Sequence, residues 1–134
     1  MRALTPLACL ALCACAAGGG DRIETYQPNA GANIVLRGEI VAAPGHELVT
    51  GDLVLGADEE VARHYHHGEE FIYVLGGSVV LYRPGMPDLT LSAGDALRIP
   101  PGTVHSATAG PQGVRAVSNW VLPQGKPLRE PVDP

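Results

Sequence analysis

Short apolar runs separated by glycine and proline constrain the fold of this chain more than any other feature. The sequence has 17 glycines and 12 prolines among its 134 residues, which is enough room for one domain. Short apolar runs bounded by turn residues are typical of β-strands, and many of them in succession favour a barrel or a sandwich. No helix-period segment stands out beyond the N-terminus. We therefore predict an all-β fold.

The predicted strands begin at Ile34 and are separated by turns wherever glycine or proline interrupts an apolar run. Pro100-Pro101-Gly102 is predicted to form a rigid corner, because proline fixes φ and glycine admits positive φ. The other predicted turns lie at Pro44-Gly45, residues 57–60, Gly76-Gly77, residues 83–88, Gly94-Asp95 and residues 110–113.

Residues 1–16 have the pattern of a secretory signal peptide. Arg2 gives a positive start, and the apolar run that follows is too short to span a bilayer. Cleavage after Ala16 fits a small-x-small site. Alternatively, residues 12–15 (LCAC) resemble a bacterial lipobox in which Cys15 is lipidated and becomes the new N-terminus. We expect an exported protein, either periplasmic or held at the membrane as a lipoprotein.

The rest of the chain divides into a linker, a barrel and a tail. Residues 17–33 are predicted to form the linker, residues 34–124 the β-barrel, and residues 125–134 an irregular tail. All three cysteines precede the linker, so the exported domain has none for a disulfide. The formal net charge is −5 and no basic run occurs, which argues against nucleic acid as a partner.

Residues 63–77, RHYHHGEEFIYVLGG, carry the densest group of potential metal ligands. His64 and His66 are two residues apart, so both side chains point to the same face of an extended strand. Glu70 follows four residues after His66, across a predicted turn at Gly68. A second segment, GDALRIPPGTVH, ends in His105. Three imidazoles and a carboxylate suit a borderline divalent metal ion.

These two segments, H-x-H-x3-E-x6-G and G-x5-P-x-G-x2-H, resemble the two sequence motifs of the cupin superfamily. Cupins are small antiparallel β-barrels of the jelly-roll type, and this chain looks most similar to small, quercetin-dioxygenase-like members. The resemblance spans residues 64–105. It implies an antiparallel jelly-roll barrel with one divalent metal ion. The ligands that it implies are His64, His66, Glu70 and His105.

Some positions near the motifs depart from the pattern or compete with the ligands. Asp58 stands where the first motif expects glycine, and Ala109 where asparagine often ends the second. Strand alternation places His67 opposite the other two histidines, so we expect it at the rim. The spacing of the motif favours Glu70 over Glu69 as the ligand and leaves Glu69 facing solvent.

The ligand set is compatible with Fe, Mn, Ni or Zn and does not choose among them. Fe(II) would suit O2 activation, and the other ions Lewis-acid chemistry on a small molecule. The resemblance implies dioxygenation, isomerisation or decarboxylation. The alternative is a non-catalytic module that binds a metal or a ligand. Four further residues are candidates for the cavity or its rim, without an assigned catalytic role: Tyr65, Tyr73, Arg98 and Trp120.

Residues 71–75, FIYVL, are apolar on both faces of the predicted strand. If Glu70 points into the barrel, Ile72 and Val74 share its face. Continuous apolar runs indicate a strand that is covered on both sides. The outward side chains, which need cover from another sheet or from a second subunit, are Phe71, Tyr73 and Leu75. We predict a homodimer on this basis.

Overall fold

The computed structural model describes residues 28–133, which form an all-β fold of eight antiparallel strands. This confirms the predicted fold class. No helix within those residues is long and apolar enough to cross a membrane. The signal segment and Cys15 lie outside the described residues. The strands are β1 (Gly31–Glu39), β2 (His46–Leu55), β3 (Glu60–Tyr65), β4 (Glu69–Tyr82), β5 (Leu89–Ser92), β6 (Ala96–Ile99), β7 (His105–Pro123) and β8 (Glu130–Pro131).

Two long strands, β4 and β7, pair with each other and belong to both halves of the barrel. In one half, residues 114–123 of β7 pair with β2, which pairs with β1, and residues 70–73 of β4 pair with β6. In the other half, residues 105–108 of β7 pair with β3, which pairs with β8, and residues 78–81 of β4 pair with β5. Two antiparallel layers joined by shared strands are consistent with a jelly roll.

The predicted turns at Gly76-Gly77 and at residues 110–113 are wrong, because both segments lie inside continuous strands. Gly77 and Gly113 have φ values of 69° and 74°, in the left-handed region that favours glycine. The register between β4 and β7 shifts on either side of this point. A side chain on Gly77 would also overlap the carbonyl oxygen of Gly113. The glycines therefore bend both strands together from one layer to the other, as β-bulges do.

The core lies between the two layers and is built from small and branched side chains. The core has two clusters of buried side chains. The smaller cluster contains Val49, Trp120 and Leu122, and Leu128 of the tail packs against it. The tail was predicted to be irregular. Part of it is regular, because β8 pairs with β3. The main cluster consists of Leu55, Val74, Val79, Leu91, Ala109, Val114 and Ala116.

Candidate metal centre

Strands β3, β4 and β7 bring the four residues of the two motifs together at one end of the barrel interior. His64 on β3 lies directly opposite His105, the first residue of β7, and their ring centroids are 4.3 Å apart. His66 lies in the link between β3 and β4, and Glu70 is the second residue of β4. All four side chains are buried.

Two glycines hold the link that carries His66. The backbone amide of Gly102, in the Pro-Pro-Gly corner, donates a hydrogen bond to the carbonyl oxygen of His66 at 2.8 Å. This bond ties the second motif to the first. Gly68 lies against the backbone of β7, where a side chain would overlap the carbonyl group of Val121. The predicted turn at Gly68 therefore packs so closely that only glycine fits.

Each of the three histidines uses its Nδ1 atom on a backbone carbonyl group. His64 Nδ1 lies 2.7 Å from the oxygen of Ala62, and His105 Nδ1 lies 2.8 Å from the oxygen of Thr103. His66 Nδ1 makes a short contact with the oxygen of Leu128. A carbonyl oxygen only accepts hydrogen bonds, so each Nδ1 must carry the proton. Each neutral ring then presents an Nε2 lone pair to the cavity, which is the arrangement of a metal ligand.

The Nε2 atoms of the three histidines and the Glu70 carboxylate converge on one small volume. His66 Nε2 lies 3.2 Å from His64 Nε2 and 3.1 Å from Glu70 Oε2. His105 Nε2 lies 3.5 Å from the same carboxylate oxygen, and the histidine nitrogens all lie within 4.8 Å of one another. Ligand bonds of about 2.0–2.2 Å to a divalent ion separate neighbouring donors by about 3 Å. The separations of His66 Nε2 from His64 Nε2 and from Glu70 Oε2 therefore fit neighbouring ligands of one metal ion.

Burial sets the protonation of His64, and the two other rings set that of Glu70. Burial lowers the pKa of His64 to about 4, despite the opposing hydrogen bond to Ala62. Burial acts to raise the pKa of Glu70, but hydrogen bonds from His105 and His66 and the charge on those rings outweigh it and lower the pKa to about 2. At neutral pH the centre therefore holds a carboxylate beside a neutral His64.

The groups at this centre are nearly all hydrogen-bond acceptors, and they do not carry enough protons to pair with one another. The bonds from His66 and His105 to Glu70 need a proton on Nε2, and with Nδ1 already protonated this requires an imidazolium ion. When the rings are neutral, three nitrogen lone pairs and a carboxylate face each other across a buried space. Such a set is costly without a compensating cation. The chemistry of the donors thus fits a divalent metal ion as well as their spacing does.

The centre opens into a cavity of about 510 Å³ between the two layers. Exposed charged residues, Glu59, Glu60 and Arg129, lie at its edge. Trp120 on β7 also lines the cavity, and its Nε1–H donates to His66 Nε2 at 3.3 Å. The indole therefore competes with any cation for that lone pair.

The C-terminal tail forms part of this site. Besides the contact of the Leu128 carbonyl with His66, Glu130 Oε1 pairs with His67 Nε2 at 3.0 Å. The backbone amide of Val132 donates to the oxygen of Arg63 at 3.1 Å. These contacts hold the tail along β3, with the Leu128 carbonyl directed at the ring of His66.

The structure separates the remaining candidates from the cavity. His67 is only partly buried and pairs with Glu130, and Glu69 pairs with Arg98 at 2.8 Å on the outside of the barrel. The ring of Tyr65 packs edge-on against His67, and Tyr73 is half exposed. Of the four candidates for the cavity or rim, only Trp120 lines the cavity.

Two features of the site were not predicted. The carbonyl group of Leu128 carries no residue-type signal, because any residue offers a backbone acceptor. Ser118 lines the cavity from β7 and is fully buried. Its position two residues before Trp120 on the same strand face was the available signal, since alternation places both on one side.

Comparisons with known proteins agree with this architecture. The family model described as "Cupin domain" matches residues 51–118. The dimethylsulfoniopropionate lyase DddW of Ruegeria pomeroyi is 36% identical over 74 residues, which cover 55% of this chain and 47% of that protein. The chain thus spans about half the length of this curated relative.

Solved structures show the same fold at lower identity. A conserved protein of Klebsiella pneumoniae with a double-stranded β-helix domain has a TM-score of 0.58 and 24% identity, covering 81% of this chain and 90% of that one. The dimethylsulfoniopropionate lyase DddQ of Ruegeria pomeroyi has a TM-score of 0.56 and 22% identity, covering 60% of this chain and 41% of that one. Identities this low support the fold alone.

Proposed function

The chain belongs to the cupin domain family, and on that premise we propose that it binds one divalent metal ion and acts there on a small molecule. The proposed ligands are His64, His66, Glu70 and His105. One observation carries the proposal: three Nε2 lone pairs and a carboxylate converge in a buried space, while every Nδ1 atom is held by a carbonyl group. No other cluster of at least three such side chains was found among residues 28–133.

The ion would supply Lewis-acid polarisation or, as iron, redox chemistry. The chain itself would supply the rest of the site. Glu70 contributes one negative charge, and the backbone carbonyl groups keep the three rings oriented. The largely apolar walls of the cavity would contact the body of a ligand.

We favour Lewis-acid chemistry over dioxygenation, because the curated relative is named a lyase. A dimethylsulfonio carboxylate is therefore the first substrate to test. A lyase reaction on it would break a C–S bond with loss of a proton from the neighbouring carbon atom. The lyase reading would thus need a proton acceptor close to the bound substrate.

A non-catalytic binding module is the second candidate, and the lining of the cavity favours it. Apart from the proposed ligands, the titratable side chains that line the cavity are all exposed and lie at its edge. The described residues therefore offer no separate buried acid or base beside the centre. A protein that only binds a metal or a ligand needs none.

Elemental analysis of the chain, purified without chelator or immobilised metal, tests the metal site first. We expect about one equivalent of a divalent ion and its loss in His64→Ala and His105→Ala. His46→Ala is the matched control, because this histidine lies at the start of β2 and does not line the cavity. Full metal content in both ligand variants would contradict the ligand assignment.

Turnover assays then separate the two candidate functions. Release of dimethyl sulfide from dimethylsulfoniopropionate by the metal-loaded chain, abolished in His105→Ala, would support the lyase. Oxygen consumption with a flavonol, a catechol or a β-diketone would instead support the dioxygenase. Tight metal binding without turnover of any of these would support the binding module.

Export and self-association complete the proposal. The signal pattern and the lipobox-like residues before Cys15 support an exported protein that is either soluble in the periplasm or anchored through a lipid. Fractionation of cells expressing the wild type and Cys15→Ser distinguishes these outcomes, since only lipidation makes membrane attachment depend on that thiol. The exposed apolar face of β4 supports a homodimer.

A further inference from the structure

Ser118 is a buried polar residue of β7 that is not among the proposed metal ligands. Its relative exposure is 0%, and its Oγ atom has no hydrogen-bond partner among the described residues. Buried hydroxyl groups are nearly always paired, and an exception needs an explanation such as a bound ligand. The main chain around Ser118 is in regular pairing with β2 and β4, so the side chain is not needed to hold a turn.

The strand register places Ser118 next to the proposed metal centre. On β7, Trp120 lies opposite Glu70 and Ser118 lies opposite Ile72. Residues two apart on a strand point to the same face, about 7 Å along it. Ser118 therefore lies one step further along the wall that carries Glu70 and Trp120, and it lines the same cavity.

Away from the proposed ligands the cavity wall is mostly apolar, with the exposed carboxylates Glu59 and Glu60 at its edge. The hydroxyl group of Ser118 therefore lies among mostly apolar side chains, one strand step from the polar group made by the proposed ligands and the indole N–H. A ligand with a polar group and an apolar body would match this surface. The apolar side chains that line the cavity include Leu53, Leu55, Ile72, Val79, Leu81 and Leu91.

We infer that Ser118 is a ligand-positioning residue, whose hydroxyl group donates a hydrogen bond to a small carboxylic acid with an apolar body. This inference rests on the proposed function. A divalent ion and one carboxylate ligand leave a net charge of about +1 at the centre, which attracts an anion. Ser118 is placed to hold an oxygen atom of that anion, and the apolar wall accepts the body of the ligand.

Calorimetric titration of the metal-loaded chain with benzoate tests the inference, with acetate as the probe that lacks an apolar body. We expect benzoate to bind more tightly than acetate. Ser118→Ala should weaken benzoate binding about tenfold, the effect of one lost hydrogen bond. The affinity of Ser118→Cys for benzoate should lie between those of the wild type and Ser118→Ala, because the thiol keeps a weak donor. Metal content and the melting temperature without probe should not fall in Ser118→Ala, because the residue has no partner to lose.

Equal affinity of the wild type and Ser118→Ala for benzoate would overturn the inference, as would a lower melting temperature with unchanged affinity, which would indicate a structural role. Failure of the metal-loaded wild type to bind benzoate would overturn the ligand class. A wild type that binds no metal would overturn the proposed function instead. The metal-free chain is then titrated with benzyl alcohol, a neutral probe that needs no cation at the centre, where the same tenfold difference would still support Ser118 and no difference would refute it.

Discussion

The three histidines of the centre are held by main-chain acceptors rather than by acidic side chains. A carbonyl group fixes the tautomer of a ring without adding negative charge. Glu70 is therefore the one anion among the four proposed ligands. The acceptors are backbone carbonyl groups, so mutating the side chains of these residues does not remove them. The titration of the rings themselves is therefore the informative measurement.

The metal-free chain should become less stable as the pH falls. This loss is expected over the pH range in which His64 is protonated in the unfolded chain but not in the folded chain. The pKa of His64 is lowered from 6.5 to about 4 by burial, so the unfolded chain binds more protons than the folded chain in that range. Stability is then fully present above pH 6.5 and is lost as the pH falls toward about 4. The depressed pKa of Glu70 adds a further loss below its ordinary value of 4.5.

Urea denaturation in the presence of chelator, at several pH values between about 7.5 and 4.5, measures this dependence. His64→Gln should flatten the slope, because the titrating group is gone. His46→Gln should retain the slope of the wild type. A wild-type stability that does not change across the range would contradict the depressed pKa of His64.

Asp58 explains one departure from the cupin pattern. It stands where the first motif expects glycine and has a φ of 57°, the only positive φ among the described non-glycine residues. Aspartate tolerates this conformation better than most side chains do. We expect Asp58→Ala to lower the free energy of unfolding by about 1 kcal/mol, and Asp58→Gly to change it by less than about 0.5 kcal/mol. Equal losses in both variants, measured by urea denaturation, would show that the side chain of Asp58 matters rather than its φ.

At the scale of elements, the C-terminal tail connects the stability of the barrel to the chemistry of the site. Leu128 packs its side chain against the cluster of Val49, Trp120 and Leu122, and its carbonyl group contacts His66. A change in the packing of this one residue should therefore move a proposed metal ligand.

We expect Leu128→Ala to lower metal affinity about 10- to 100-fold, the usual effect of losing a group that orients a ligand. Leu89→Ala is the matched control, because this half-buried leucine on β5 packs against the main core and does not line the cavity. Metal competition with a chromophoric chelator gives the affinity, and thermal unfolding gives the stability cost of each change. An equal loss of affinity in both variants would attribute the effect to general destabilisation.

The elements of the site differ in how far they could be predicted. The spacing of His64, His66 and Glu70 predicts their common location, because strand alternation is a local property. The partnership with His105 depends on strand pairing across 40 intervening residues and was available only through the resemblance to cupins. The predicted turns at Gly76-Gly77 and at residues 110–113 are bends within strands, because glycine-rich segments indicate a turn or a bulge and only the strand pairing distinguishes the two.

At the scale of the whole molecule, one outer face of the barrel exposes several large apolar side chains. The outward side chains of β4 were predicted to require cover, and Phe71, Tyr73 and Leu75 are 40%, 49% and 47% exposed. Ile34 and Val35 of β1 line a shallow groove with Leu75 on the same side of the barrel. Contiguous exposed apolar surface of this kind commonly marks an interface between proteins.

A two-fold dimer through this face would place Leu75 of each copy against the apolar surface of the other, since a two-fold interface uses the same patch on both subunits. We therefore expect light scattering to give twice the chain mass for the wild type and the monomer mass for Leu75→Glu, because a buried unpaired carboxylate opposes association. Met86→Glu is the control: this residue is 52% exposed but lies in the turn between β4 and β5, so the dimer should persist. A wild type of monomer mass across the micromolar range would refute the dimer and leave the metal centre unaffected, because all four proposed ligands come from one chain.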